Sequence, residues 1–319
     1  MTDIIVYQMG KVGSTAICRG LERAGLMAGH CHFLGRAALV KVLTNLLEPD
    51  RTAAHLDDGL SQIGQNLRLT RLVDEHRTGR RPTPVKIVTL TRDPFNWYVS
   101  FLVQSHAAYA PLIRDWAAHN GASEETYENQ VGAFHDRMFS LLAEPPFAID
   151  DARFEAAIEA ARRDHPTRNR TVGELLLFLR MPNIWFGEFM VPVTGIDPIC
   201  DSGITDGPTL RFHGDGVELL LIPFERLKES TPQLARFAGL GELDLPTENV
   251  TVEKPEVAYY SSVRTMAEHH AMAIARLYDS AYARRFGYRA PFGESLAGQR
   301  PASGFATLRR LAKRAGWKW

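Results

Sequence analysis

The sequence predicts a three-layer α/β fold with a mainly parallel sheet and a helical insertion, and three stretches carry that expectation. At 4–25, IIVYQMGKVGSTAICRGLERAG, an apolar run of strand type enters a turn of glycines and small residues that opens a helical pattern. At 85–104, VKIVTLTRDPFNWYVSFLVQ repeats strand, turn and helix. At 217–222, VELLLI has the continuous apolar character of a buried strand and leads into a helical pattern at 225–237.

Taken in order, Ile4, Ile5, Val6 and Tyr7 form the first strand, and Ile17 and Leu21 mark the apolar side of the helix that follows. Between them, Gly10, Gly13, Ser14 and Thr15 direct backbone N–H groups and the positive end of a helix at one spot, which suits a phosphate or sulfate. Lys11 is the only cation of this loop. The nearest phosphate-binding pattern, G-x-x-x-x-G-K-[ST], places lysine immediately before the hydroxyl residue; here the lysine lies three positions before Ser14. Gly25 is a plausible helix C-cap, and 26–34 (LMAGHCHFL) forms a second short strand. Alternation along that strand puts His30 and His32 on one side and Cys31 on the other.

Helical periodicity runs through 36–47 and 58–77, with Pro49-Asp50 between them and a polar connection over 77–84. The strand at 85–91 ends on Arg92, at the carboxyl edge where open α/β sheets bind ligands. Asp93-Pro94 is a helix start, aspartate capping and proline taking the first helical position. The planar, permanently charged fork of Arg92 suits a terminal phosphate, to which Ser100 adds a hydroxyl donor. From 110 to 179 the pattern is mostly helical (124–142, 150–163, 172–179), broken at Pro111, Pro145-Pro146 and Pro166, and forms an insertion over the binding edge. NIWFGEFM at 183–190 is aromatic with one acid, Glu188, and is expected chiefly in the core. NVTVEK at 249–254 precedes two helical patterns that run to about Tyr288.

With 319 residues, 45% of them apolar, the chain can fill a sizeable core, and 37 basic against 37 acidic residues give no overall cationic field for nucleic acid. Cys18, Cys31 and Cys200 have no metal-ribbon spacing and are expected as reduced core thiols. The start lacks a secretory pattern and no apolar run reaches spanning length, so a cytoplasmic protein is expected. At 305–319, FATLRRLAKRAGWKW, five basic residues face an apolar stripe at helical spacing. That pattern suits an anionic membrane surface or a partner, as well as a terminal helix docked on the domain.

Together these stretches resemble the P-loop-like sulfotransferases that use 3′-phosphoadenosine-5′-phosphosulfate (PAPS), in particular the bacterial group of capsular polysaccharide synthesis proteins. The resemblance covers about 4–288 and rests on QMGKVGST, HCHF, RDPFNWYVS, WFGEF, GID at 195–197, LLLIPFERL, NVTVEK followed by YY, and YDSAYARRFGY. It implies one sulfotransferase domain over 1–290, with the helical insertion at about 110–180, and a basic tail over 291–319. By position it implies that Lys11, Val12, Gly13, Ser14 and Thr15 hold the 5′-phosphosulfate, Arg92 and Ser100 the 3′-phosphate, and Asn249 and Lys254 the cofactor from a late loop. Trp97 stands where the family often has a second arginine, and the acidic pair after W-F is reduced to Glu188.

The expected activity is in-line transfer of a sulfuryl group from PAPS to a carbohydrate hydroxyl, leaving 3′-phosphoadenosine-5′-phosphate (PAP), with no metal. Lys11 stabilises the developing charge and His32 is the expected general base, with His30 and Glu188 as alternatives. Two rivals stay open: a magnesium-dependent nucleotide phosphotransferase, and a nucleotide-binding module without turnover. A metal at His30 and His32 lacks a third ligand.

Overall fold

In the computed structural model, which describes residues 4–46, 53–143, 168–246 and 255–292, the chain is an α/β protein whose mixed, mostly parallel six-stranded sheet is flanked by helices. The strands are β1 (Ile4–Tyr7), β2 (Ala28–Cys31), β3 (Val85–Thr91), β4 (Ile204–Asp206), β5 (Thr209–Gly214) and β6 (Val217–Pro223), in the order β2-β1-β3-β6-β5-β4. β1 lies parallel between β2 and β3, and β3 pairs parallel with β6 along its whole length, from Val85↔Val217 to Thr91↔Pro223. β5 and β4 add an antiparallel edge.

Burial follows this order. Every residue of β1 is buried, and β3 and β6 are buried almost throughout, as strands covered on both faces must be. β5 is only partly buried and β4 is largely exposed, which suits the rim. Ile4, Val6, Ile87, Val88, Leu219 and Leu221 form the centre of the core.

The chain passes from β1 through α1 (Ser14–Arg23) to β2, then through α2 (Arg36–Leu46) and α3 (Ala53–Arg77) back across β1 to β3. The direction of winding therefore reverses between β1 and β3. In open α/β sheets that reversal leaves a crevice outside the carboxyl ends of the two strands.

After β3 come α4 (Pro94–Gln104), α5 (His106–His119), α6 (Tyr127–Ala143) and α7 (Arg168–Trp185). A π-helical turn (Phe186–Met190) leads into the short α8 (Val191–Thr194). α9 (Thr231–Ala238), α10 (Ser261–His269), α11 (Ala271–Tyr278) and α12 (Ala281–Phe286) complete the described α-helices, with a 3₁₀ helix at Pro255–Tyr260 leading into α10.

Several local expectations change. Pro111 does not end a helix but lies inside α5. The helix expected at 225–237 is a 3₁₀ turn (Phe224–Arg226) followed by α9, whose start is set by Pro232 in its first turn. The second strand is shorter than 26–34, so His32 lies just past its end. Cys18 and Cys31 are buried thiols, but Cys200, in the turn before β4, is exposed. The helix expected at 150–163 and the basic stretch at 305–319 lie outside the described residues. Among the described residues no helix is long and apolar enough to cross a membrane.

Candidate functional site

The lysine-bearing loop follows β1, Arg92 follows β3, and a hydrogen bond joins the two. The loop from Gln8 to Gly13 turns left-handed three times, at Gly10 (φ 87°), Lys11 (φ 56°) and Gly13 (φ 78°). Lys11 is the only non-glycine residue with positive φ among the described residues. A left-handed lysine costs on the order of 1–2 kcal/mol of backbone strain, and such strain gathers at ligand clamps. Successive turns of this kind point neighbouring N–H groups into one concavity that suits an anion.

Gly13 has two reasons to be glycine. Its φ is left-handed, and a Cβ there would come within 2.9 Å of the Phe224 ring and 3.2 Å of Leu227. It also caps α1 without a side-chain hydrogen bond, and the first turn of α1 carries no acid. The N–H groups at that helix end, with their partial positive charge, are thus not taken up by a protein carboxylate in the first turn. Val12 is fully buried, so only its backbone can serve a ligand. Ser14 is buried and Thr15 half-buried at the start of α1.

Arg92 closes the other side. Its guanidinium donates to the Lys11 carbonyl and lies 4.4 Å over the Phe224 ring, so Arg92 and the Lys11 loop belong to one assembly. Burial pulls the Arg92 pKa down, while Glu225 and Asp93 oppose the shift. Asp93 caps α4 as expected, accepting from the Asn96 N–H at 2.8 Å. Ser100 is buried two turns along α4. Trp97, where the resembling family often has arginine, donates its indole N–H to the Gly10 carbonyl at 2.7 Å and stacks on Phe101. It braces the loop rather than contributing charge.

The two histidines sit against the same loop. Their ring centroids are 4.7 Å apart, and the His32 ring lies under Gly10. His32 Nδ1 is 3.0 Å from the Gln8 carbonyl oxygen, which can only accept, so Nδ1 carries the hydrogen and Nε2 keeps its lone pair. Burial pushes the His32 pKa down to about 4, helped by His30 and by the Lys11 charge. Burial also lowers His30. A neutral imidazole with a lone pair on Nε2 can accept a proton from a hydroxyl.

Glu188 stands apart, exposed on the π turn, with Arg180 as the charge that faces it. The turn itself docks on the sheet: the Tyr7 hydroxyl donates to the Phe189 carbonyl at 2.7 Å, and Phe189 meets Phe33, which adjoins His32. Within the aromatic stretch, Trp185 and Phe186 are core as expected, whereas Phe189 is half-buried at the rim. Asn249 and Lys254 lie outside the described residues.

Two groups of residues were not anticipated. Gln8, fully buried, bonds to both sides of the site: its Nε2 is 3.0 Å from Ser14 Oγ and 2.7 Å from His30 Nε2, and its Oε1 accepts from the Gly10 N–H. The ending YDSAYARRFGY places three tyrosines on three consecutive residues. Tyr278 donates to the Asp93 carboxylate, Tyr282 both accepts from Arg92 N–H and donates to its carbonyl, and Tyr288 pairs with Thr91 Oγ1 and Glu225. Burial raises the pKa of all three, so they remain neutral hydroxyls. Among the described residues no group of three or more His, Cys, Asp or Glu side chains could hold a metal ion.

Comparison with models of known families, with curated proteins and with solved structures returned no match.

Proposed function

We propose that this protein is a PAPS-dependent sulfotransferase of the P-loop-like kind, acting on a carbohydrate hydroxyl. The support rests chiefly on one observation: a strained, lysine-bearing N–H loop after β1 is hydrogen-bonded to an arginine ending β3, across the point where the winding of the sheet reverses. A donor with phosphate groups at both ends of its nucleoside needs two such cationic anchors.

In this proposal Lys11 and the N–H groups of Val12, Gly13, Ser14 and Thr15 hold the 5′-phosphosulfate, and Arg92 with Ser100 holds the 3′-phosphate. Bound PAPS supplies the activated sulfuryl group. His32 Nε2 takes the proton of the acceptor hydroxyl as the new sulfur–oxygen bond forms, and Lys11 balances the charge left on the departing phosphate. Phe33 and Phe189, half-buried beside His32, offer an apolar surface of the kind that the C–H face of a sugar ring covers.

The test is a melting experiment with PAP and with ATP plus magnesium. A ligand at 100 times its dissociation constant stabilises the native state by about 2.7 kcal/mol, so saturating PAP should raise the melting temperature by several degrees. A rise with ATP and magnesium but none with PAP would assign the site to a phosphotransferase instead. Tight PAP binding without turnover across carbohydrate acceptors would assign it to a nucleotide-binding module.

A further inference from the structure

The least exposed polar side chain of the site belongs to Gln8, at the point where β1 ends and the loop begins. Its amide orientation is fixed, because the Gly10 N–H needs an acceptor and finds Oε1. Nε2 is therefore the donor end, with two hydrogens. One goes to Ser14 Oγ at 3.0 Å and the other to His30 Nε2 at 2.7 Å. Nε2 also approaches His32 Nδ1 at 3.2 Å, but that nitrogen already donates to the Gln8 carbonyl, so two donors meet there and no hydrogen bond forms.

Each bond dictates what its partner has left. Ser14 accepts from Gln8, so its own hydroxyl hydrogen must point elsewhere. His30 accepts on Nε2, so its hydrogen is on Nδ1. His32 donates from Nδ1, so its lone pair is on Nε2. We propose that Gln8 is a positioning residue that sets the hydrogen-bond polarity of the site: its side-chain amide keeps Ser14 a donor toward the bound anion and His30 an acceptor at Nε2, while its backbone carbonyl leaves His32 an acceptor at Nε2.

The part concerning the anion rests on the sulfuryl-transfer proposal; the part concerning the histidines does not. Gln8 touches neither reacting atom. It acts through Ser14 and the histidines, and its worth lies in being an amide. Glutamate has nearly the same shape but can only accept when ionised, so it would require hydrogens from both Ser14 and His30. Leucine fills similar space and does neither.

The test begins with the full-length wild-type protein, without ligand, labelled with ¹⁵N in its histidines. Long-range proton–nitrogen spectra at neutral pH should show both His30 and His32 protonated on Nδ1. A hydrogen on Nε2 of either ring would overturn the proposal, whatever the protein binds. In Gln8→Glu, His30 should move its hydrogen to Nε2 while His32, held by the backbone carbonyl, keeps the Nδ1 form. An unchanged His30 would show that the side chain does not set it.

Ser14 is tested by PAP affinity. Gln8→Leu and Ser14→Ala should each weaken PAP by about tenfold, the loss of one hydrogen bond to a charged group. The double variant should be little worse than either, because both remove the same directed hydroxyl. Fully additive losses would overturn the Ser14 arm. If the wild type fails to bind PAP, the sulfuryl-transfer proposal falls, and the histidine spectra still decide the role of Gln8.

Discussion

His32 owes its chemistry to what surrounds the ring, since an unperturbed histidine would be partly protonated near pH 6.5 and useless as a base in that form. Burial, His30 and Lys11 all disfavour the cation, and the carbonyl of Gln8 fixes the hydrogen on Nδ1. The Lys11 charge adds to burial and to His30 in disfavouring the His32 cation, and in the proposed function the same ammonium holds the 5′-phosphosulfate. His32→Ala should leave PAP affinity within about twofold of wild type and lower turnover by about 10²- to 10⁴-fold. Parallel assays of Glu188→Ala separate the two candidate bases. Near-normal turnover in His32→Ala with loss in Glu188→Ala would transfer the role to Glu188. Equal loss of PAP binding and turnover in His32→Ala would make His32 a structural part of the cofactor site.

At the scale of elements, the end of β3 is held from the far end of the chain. α11, α12 and the segment after α12 each send one tyrosine hydroxyl to Asp93, Arg92 and Thr91 in turn. The bond pair to Arg92 resembles one more rung of sheet pairing made by a side chain, with Tyr282 serving the N–H and the carbonyl that no neighbouring strand reaches. Phe186 and Phe286 hold the Tyr282 ring in place. Tyr282→Phe keeps that packing and removes only the hydroxyl, so it should cost about 1–3 kcal/mol in urea unfolding, the price of leaving part-buried backbone groups unpaired. Because the shift is transmitted to Arg92, PAP should weaken several-fold while adenosine 5′-phosphosulfate, which has no 3′-phosphate, changes little. Equal weakening of both ligands would mean that Arg92 is not the 3′-phosphate anchor.

For the molecule as a whole, the sequence displayed local order better than long-range bonding. The placement of Lys11 after β1 and of Arg92 after β3 was legible from each residue's position relative to a strand end, and the proximity of His30 and His32 from alternation along the chain. Gln8 looked like an ordinary polar residue after a strand, and nothing in its neighbourhood announced a hub that spans to His30 and His32. The tyrosine spacing was visible as a motif, but its partners lie about 190 residues away, so its meaning depended on the fold. The antiparallel edge of β4 and β5 was missed because β4 is only three residues long, two of them exposed, and carries little hydrophobic pattern.

The same fold-level burial makes stability depend on pH. His135, on α6, is buried with both nitrogens committed: Nδ1 donates to the Val131 carbonyl at 2.7 Å, and Nε2 accepts from the Tyr98 hydroxyl at 3.0 Å. Its pKa is pushed down to about 4, as is that of His32. His135 is faced by Tyr98, Phe134 and Phe139, none of them charged at neutral pH, whereas His32 faces His30 and Lys11. A histidine depressed in the folded state stays neutral there while the unfolded chain binds a proton below about pH 6.5. Stability is therefore fully present above that value and is lost as pH falls toward 4. Each histidine should remove about 2 kcal/mol between pH 7 and pH 5, so urea midpoints should drop over that interval. His32→Ala should flatten the slope by roughly half, and bound PAP should flatten it in the wild type, because an anion beside Lys11 makes protonated His32 less costly. Equal stability at pH 7 and pH 5 would show that these rings are already protonated, or exposed, in the native protein.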